Sequence, residues 1–162
     1  MIWVIFLAEV ILFYFFALLQ NSFFTHFSLM GGMPNLVFAL FFIFLFFGKR
    51  NIFYLFFLAV FAGIFLDIFL AGYFGISVVI LFILGMFAKK IQTSLREGEE
   101  NHSFIFFMCI FGVFYILYDI LLQLPALITF GGRFFASLII NILCASLLFF
   151  LIKKFKLEKF LK

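Results

Sequence analysis

The chain has 162 residues, of which 69% are hydrophobic and 25% aromatic. Soluble domains are nearer half apolar, and a chain of this length could not bury so much apolar surface, so the composition excludes a soluble globular protein. The net charge of +4 at pH 7 then indicates contact with anionic lipid headgroups rather than with nucleic acid. We expect an all-α integral membrane protein, in which stripes formed by the 34 Phe residues along the helices are lipid-facing bulk.

Six apolar segments predict a bundle of six transmembrane helices in a single domain. The first contains Glu9, and it has no basic residues before it and no small-x-small cleavage site after it, which predicts a retained helix rather than a signal peptide. Residues 22–33 mix aromatic and polar side chains and are predicted to form an interfacial loop. Pro34 suits the start of the second helix, where its missing N–H does no harm. The predicted helices cover residues 2–19, 34–47, 52–71, 73–88, 104–124 and 134–152.

The second and fourth of these helices are predicted to be short. At 1.5 Å per residue they reach about 20–25 Å, against a hydrocarbon core of about 30 Å. Non-helical backbone at that depth must be buried in protein or line a cavity. The polar stretch from Gln92 to Ser103 is predicted to lie outside the membrane.

The third helix carries a carboxylate within an apolar run. Ala59, Gly63, Asp67 and Ala71 recur at four-residue spacing, which places them in one stripe along a helix. Small side chains let another helix approach closely. A charge at membrane depth costs about 2.5–3.5 kcal/mol, so it faces protein or water rather than lipid. We therefore expect this stripe to point into the bundle.

Basic residues predict the orientation of the bundle. Ten of the eleven Lys and Arg residues fall on one side of a six-helix arrangement, and Arg133 alone falls on the other. Cytoplasmic loops carry the excess of basic residues in membrane proteins. Both termini are therefore predicted to be cytoplasmic (N-in/C-in).

Polar residues of the third, fifth and sixth helices are predicted to gather in the outer half of the bundle, among them Asp67, Asp119 and Asn141. One interpretation is an ion or proton relay, which intramembrane acids often mark. The other is structural: Asp67 accepts hydrogen bonds from free N–H groups at the start of helix four, across the Gly72 turn, and Asp119 pairs with Arg133. The structural interpretation is favoured because a relay would place acids across the full depth, whereas the inner half has little beyond Glu9.

Catalytic and metal-binding patterns find no support in the sequence. His26 and His102 are predicted to lie on opposite sides of the membrane, and Cys109 and Cys144 stand singly in different helices, as small packing residues rather than a disulfide. The serines have no nearby histidine to activate them. We expect neither an enzyme nor a cofactor.

The order of several motifs resembles the MreD family of rod shape-determining membrane proteins. The resemblance covers essentially the whole chain, including its length and its six predicted spans. It rests on Gln20 at the end of helix one, the Pro34-Asn35 pair, Gly63-x-x-x-Asp67, Gly72 and Gly75, Arg133 and Asn141. Asp119 adds a further candidate for structural or partner contacts.

That resemblance implies non-enzymatic work in the bacterial cytoplasmic membrane. The chain would be a scaffold or regulator of cell elongation, working with MreC, the actin-like MreB, and RodA with its penicillin-binding partner. An alternative is the substrate-binding subunit of an energy-coupling-factor vitamin transporter, which is also a small six-helix protein with an outer pocket. Helix one lacks the Ala-x-x-x-Ala pattern of such subunits, since Ala8 and Ala17 are nine residues apart. A small ion or proton carrier is the third option.

Overall fold

The computed structural model describes residues 2–27, 31–48, 51–69, 74–95, 104–123 and 131–155. Within these ranges all the regular elements are helices, as predicted. Six are α-helices and one is a 3-10 helix that follows the first. They are α1 (Ile2–Ser22), the 3-10 helix (Phe24–Phe27), α2 (Leu36–Phe47), α3 (Ile52–Phe69), α4 (Ile76–Leu95), α5 (Phe104–Gln123) and α6 (Gly132–Lys154).

Among the described helices, five are long and apolar enough to cross a membrane, which is the make-up of a multi-pass membrane protein. These five (α1, α3, α4, α5 and α6) expose large apolar side chains such as Leu7, Phe53, Ile105 and Leu143. The remaining helix, α2, has 12 residues and is therefore only about 18 Å long. It is short, as predicted, and it differs from the others in what surrounds it.

The short helix α2 is the axis of the bundle. Every residue from Leu36 to Phe47 is buried, and α2 packs against each of the other five α-helices. A helix that is apolar all round is stable either in lipid or enclosed by other helices, and here the other five α-helices enclose it. The sequence LVFALFFIFLFF suits this central position, because it presents an apolar side chain to every neighbouring helix.

Aromatic rings from α2 and its neighbours form much of the core. The ring centroid of Phe38 lies 4.8 Å from that of Tyr118 and 5.6 Å from that of Phe111. Nearer the other end of α2, the rings of Phe46 and Phe107 are 5.1 Å apart. The prediction that Phe stripes along the helices face lipid is therefore wrong for α2, whose six Phe residues are all buried.

Helices α3 and α4 form the closest helix pair. A Cβ atom placed on Gly63 would lie 2.5 Å from both the Cα and the N atom of Val78, so only glycine allows this approach. Ala59, Gly63 and Asp67 are all buried. The predicted inward stripe on the third helix is confirmed for these three residues, and Ala71 lies outside the described residues.

Three helix boundaries differ from the predictions by more than the one or two residues on which assignments commonly disagree. Helix α4 ends at Leu95 rather than residue 88, so the prediction of a short fourth helix is wrong. It also begins at Ile76 rather than residue 73, and its added turns bring the buried Gln92 against α2. Helix α1 extends to Ser22 and the 3-10 helix follows, where an irregular loop was predicted.

The two ends of the bundle differ in chemistry. We call the end where α1, α3 and α5 finish and α2, α4 and α6 begin the polar end, because side chains from the five helices other than α2 form hydrogen bonds there. The opposite, basic end carries Lys89 and Lys90 of α4 and Lys153 and Lys154 of α6. Arg133 lies at the polar end.

Candidate functional site

The start of α2 is buried, and three side chains cap it. The first N–H groups of a helix have no partner within the helix, and in lipid no water can replace one. The Asn35 side-chain oxygen accepts from the Phe38 N–H at 3.0 Å, as expected of an N-cap residue. Gln20 of α1 accepts from the Leu36 N–H, also at 3.0 Å. The helix starts at Leu36, so Pro34 precedes the cap and is not the first helical residue as predicted.

Asn141 of α6 links α2, α5 and the segment before α2. Its oxygen accepts from the backbone N–H of Asn35 at 2.5 Å. Its amide nitrogen donates to the Met33 carbonyl at 3.2 Å and to the Tyr115 hydroxyl at 2.9 Å. Asn141 is 0% exposed, and its hydrogen bond to Tyr115 is buried. Ala145, one turn further along α6, is also 0% exposed, so this face of α6 points inward.

The start of α4 is capped from α3. The two carboxylate oxygens of Asp67 accept separately, Oδ2 from the Gly75 N–H at 2.7 Å and Oδ1 from the Ser77 N–H at 3.2 Å. Gly75 has φ of +96°, a conformation that glycine adopts at little cost. This is the hydrogen bonding predicted for Asp67 on the structural interpretation. Gly72, predicted to form the intervening turn, lies outside the described residues.

In the same region a hydrogen bond joins α4 to α5. The Ser77 and Tyr118 hydroxyls are 3.3 Å apart and hydrogen bonded, and both residues are buried. Tyr118 also packs on Phe38 of α2. The capped starts of α2 and α4 are thus joined through one tyrosine.

At the other end of α2, the side chain of Gln92 of α4 caps the helix. Its side-chain nitrogen donates to the Phe46 carbonyl at 2.6 Å. The last carbonyls of a helix have no partner within it, and Gln92 is only 4% exposed. Neighbouring helices therefore supply hydrogen bonds to both ends of α2.

A cavity of about 740 Å³ opens at the polar end between α1, the segment before α2, α3, α5 and α6. Its volume is in the range of small-molecule sites, about 300–1,000 Å³. Leu66, Phe69 and Leu122 give it an apolar side. Its polar lining comes from Gln20, Asn21, Thr25, Asn35, Tyr115, Tyr118, Asp119, Gln123, Arg133 and Ser137.

Asp119 and Arg133 bring opposite charges to this cavity. Asp119 Oδ2 accepts from the side-chain nitrogen of Gln123 at 2.6 Å, and among the described residues the carboxylate forms no ion pair. The predicted direct pairing of Asp119 with Arg133 is therefore wrong. The two charges are close enough to interact electrostatically, but the hydrogen-bond donor to the Asp119 carboxylate is Gln123, one turn further along α5.

Sequence reasoning missed three of the residues that build this region. The sequence predicts the end of a helix at Gln20 and the start of a polar stretch at Gln92, and it carries no sign that Ser77 lies at a contact between helices. The signal available for Gln20 and Gln92 was a lone amide at the edge of an apolar run, which a surface residue shows equally. Their common role depends on where α2 begins and ends.

In the part of the chain that the structure describes, no group of three or more His, Cys, Asp and Glu side chains is placed to hold a metal ion. Cys109 and Cys144 are free thiols, and Cys109 is exposed rather than a packing residue. No family model, curated protein or solved structure matches the chain.

Proposed function

We propose that this chain is a non-enzymatic membrane scaffold of the MreD kind, which supports bacterial cell elongation and peptidoglycan synthesis. Its first partner would be MreC, with MreB, RodA and the penicillin-binding partner of RodA in the same assembly. It would lie in the bacterial cytoplasmic membrane with all six helices spanning and both termini in the cytoplasm.

The observation that carries this proposal is that the polar residues on which the family resemblance rests cap helix ends. Asn35, Asp67 and Asn141 hydrogen bond to backbone groups at two buried helix starts, and Gly75 supplies one of those N–H groups. Polar groups used in this way fix helix positions and are not available to activate a nucleophile. A rigid bundle with fixed helix ends is what a scaffold needs.

The proposed orientation is supported by the separation of charge along the bundle. Within the described residues, the four lysines of α4 and α6 lie at the basic end and Arg133 lies at the polar end. Applying the positive-inside rule puts the polar end outside the cell. The capped start of α2 also explains how a helix of about 18 Å could serve as the sixth span, because its first turn lies inside the bundle.

Partner binding would take place mainly within the membrane. The predicted loops are too short to fold into a docking domain, so close helix packing and interhelical hydrogen bonds, about 0.6–2 kcal/mol each, would hold the complex. A single transmembrane helix of MreC would pack against the outside of the bundle.

The test is co-purification of the chain with MreC from the same genome, after co-expression and mild detergent extraction. The matched control is MreC whose transmembrane helix is replaced by an unrelated helix of equal length. We expect recovery of MreC to fall sharply with the replaced helix. Failure of native MreC to co-purify would overturn the proposed function. Undiminished recovery of the replaced form would overturn the membrane-embedded contact alone.

A second candidate function is favoured by one observation, the cavity at the polar end. A substrate-binding subunit of an energy-coupling-factor vitamin transporter would need such an outer pocket. Mass spectrometry of the purified chain separates the two functions, because a bound vitamin would accompany the transporter subunit and wall-synthesis proteins would accompany the scaffold.

A further inference from the structure

The cavity at the polar end presents one negative and one positive side chain, and neither is fully used by the protein. Asp119 Oδ2 has Gln123 as its donor, whereas Oδ1 has no hydrogen-bond donor among the described residues. The guanidinium of Arg133 likewise has no acceptor in the described part of the chain. Its aliphatic stem lies beside Gly31, where an added Cβ would lie 3.7 Å from Cγ and Cδ of Arg133.

The position of these two charges makes their incomplete pairing informative. Asp119 lies within an α5 span that is otherwise strongly apolar, and an intramembrane carboxylate is costly unless protein, water or a ligand compensates it. Arg133 stands at the exposed rim, so the cavity runs from an open cationic rim to a half-buried anion. An occupant that carries both charges would compensate both side chains.

The chemistry of the walls adds a further requirement. Leu66, Phe69 and Leu122 form an apolar side of the cavity, next to the buried Tyr118. Ligand sites combine such apolar walls with a few polar groups that fix orientation. A hydrated inorganic ion gains nothing from contact with an apolar wall, whereas an amphiphilic ligand can bury its apolar part there.

From this arrangement we infer that the cavity binds a small zwitterion that joins an amine to a phosphate or carboxylate, with its amine at Asp119 and its anionic group at Arg133. The phosphoethanolamine headgroup of a membrane lipid has this chemistry, and so does the free compound O-phosphoethanolamine. A guanidinium pairs with phosphate through two parallel hydrogen bonds, and a carboxylate accepts from an ammonium group. The inference does not rest on the proposed function, since a scaffold and a transporter subunit can each hold such a ligand.

The test uses the purified chain in detergent and two lipid probes of equal acyl length, dilauroyl phosphatidylethanolamine and dilauroyl phosphatidylglycerol, measured by native mass spectrometry. Both lipids carry a phosphate, but only the first carries an amine. We expect the amine-bearing lipid to bind more tightly. Asp119→Asn, which keeps an oxygen for Gln123, should weaken its binding by about tenfold or more.

Arg133→Gln provides a second variant. The side chain of Arg133 is exposed and forms no hydrogen bond within the described structure, so this change should leave the fold intact and weaken both lipids. Lys154→Gln, which removes one charge at the basic end, is the matched control and should change neither. Thermal unfolding of each variant establishes that it is folded.

A competition with free O-phosphoethanolamine distinguishes the two sources of the ligand. Displacement of the lipid at similar concentrations indicates a soluble zwitterion, and no displacement indicates a membrane lipid; both results require the variants to weaken binding as stated. Equal binding of the two lipids to the native chain would overturn the inference. So would binding of the amine-bearing lipid that is unchanged in folded Asp119→Asn or Arg133→Gln.

Discussion

Replacing Asp67 tests the capping of α4 most directly. In Asp67→Leu the N–H groups of Gly75 and Ser77 lose their acceptors. Asp67 is only 7% exposed and Ser77 is 0% exposed, so water cannot readily replace the carboxylate. An unpaired buried donor costs about 1–3 kcal/mol, which gives about 2–6 kcal/mol for the pair.

Asp67→Asn should give an intermediate result, because the two carboxylate oxygens have different partners. An amide has one oxygen, and its nitrogen would face the second N–H. One hydrogen bond is therefore retained and one is lost, at a cost of about 1–3 kcal/mol. The expected order of stability is native, then Asp67→Asn, then Asp67→Leu.

The measurement is thermal unfolding in detergent, followed by size-exclusion chromatography of a fluorescent fusion after heating. For a chain of this size a loss of 1 kcal/mol lowers Tm by about 2–4 °C, so Asp67→Leu should lower it by about 4 °C or more. Asp119→Leu is the matched control, since Asp119 bonds only to the Gln123 side chain at the cavity and leaves no backbone N–H unpaired. Equal Tm values for Asp67→Asn and Asp67→Leu, or an equal loss in Asp119→Leu, would refute the capping argument.

Three further predictions use the same measurement. Gly63→Ala should lower Tm by an overpacking cost of about 1–3 kcal/mol, because the new Cβ would overlap the backbone of Val78. Asn141→Leu should cost more than about 2 kcal/mol, since one backbone N–H, one carbonyl and one hydroxyl lose a buried partner together. Gln92→Leu should cost about 1 kcal/mol by removing the hydrogen bond to the Phe46 carbonyl, and Gln92→Glu should cost more because it buries a carboxylate that cannot donate to that carbonyl.

Each of these changes has a control in the same chain. Gly112→Ala places a Cβ in open space and should be neutral or mildly stabilising, since alanine favours a helix; a similar loss in both glycine variants would contradict the close approach of α3 and α4. Thr93→Val, beside Gln92 but exposed, should have little effect. Ser146→Ala removes an exposed hydrogen bond within α6 and should lower Tm less than Asn141→Leu does. Equal losses of Tm would contradict the linking role of Asn141.

How far the sequence determines this protein is clearest in its composition and in α3. A chain that is 69% hydrophobic has too little polar surface for water, so a membrane helical bundle follows from composition alone. The small stripe of Ala59, Gly63 and Asp67 is a local, periodic signal, and it predicted the inward face of α3. The Asp67 cap could also be predicted, because its partners lie only 8 and 10 residues further along the chain.

Other features were decided only by the tertiary structure. The burial of α2 on every side could not be read from its sequence, since an apolar helix facing lipid has the same composition as one enclosed by helices. The caps at its two ends come from Gln20, Asn141 and Gln92, which lie 16, 106 and 46 residues from their partners. Hydrogen bonds over such separations depend on how the helices are arranged around α2, and helix periodicity carries no information about that arrangement.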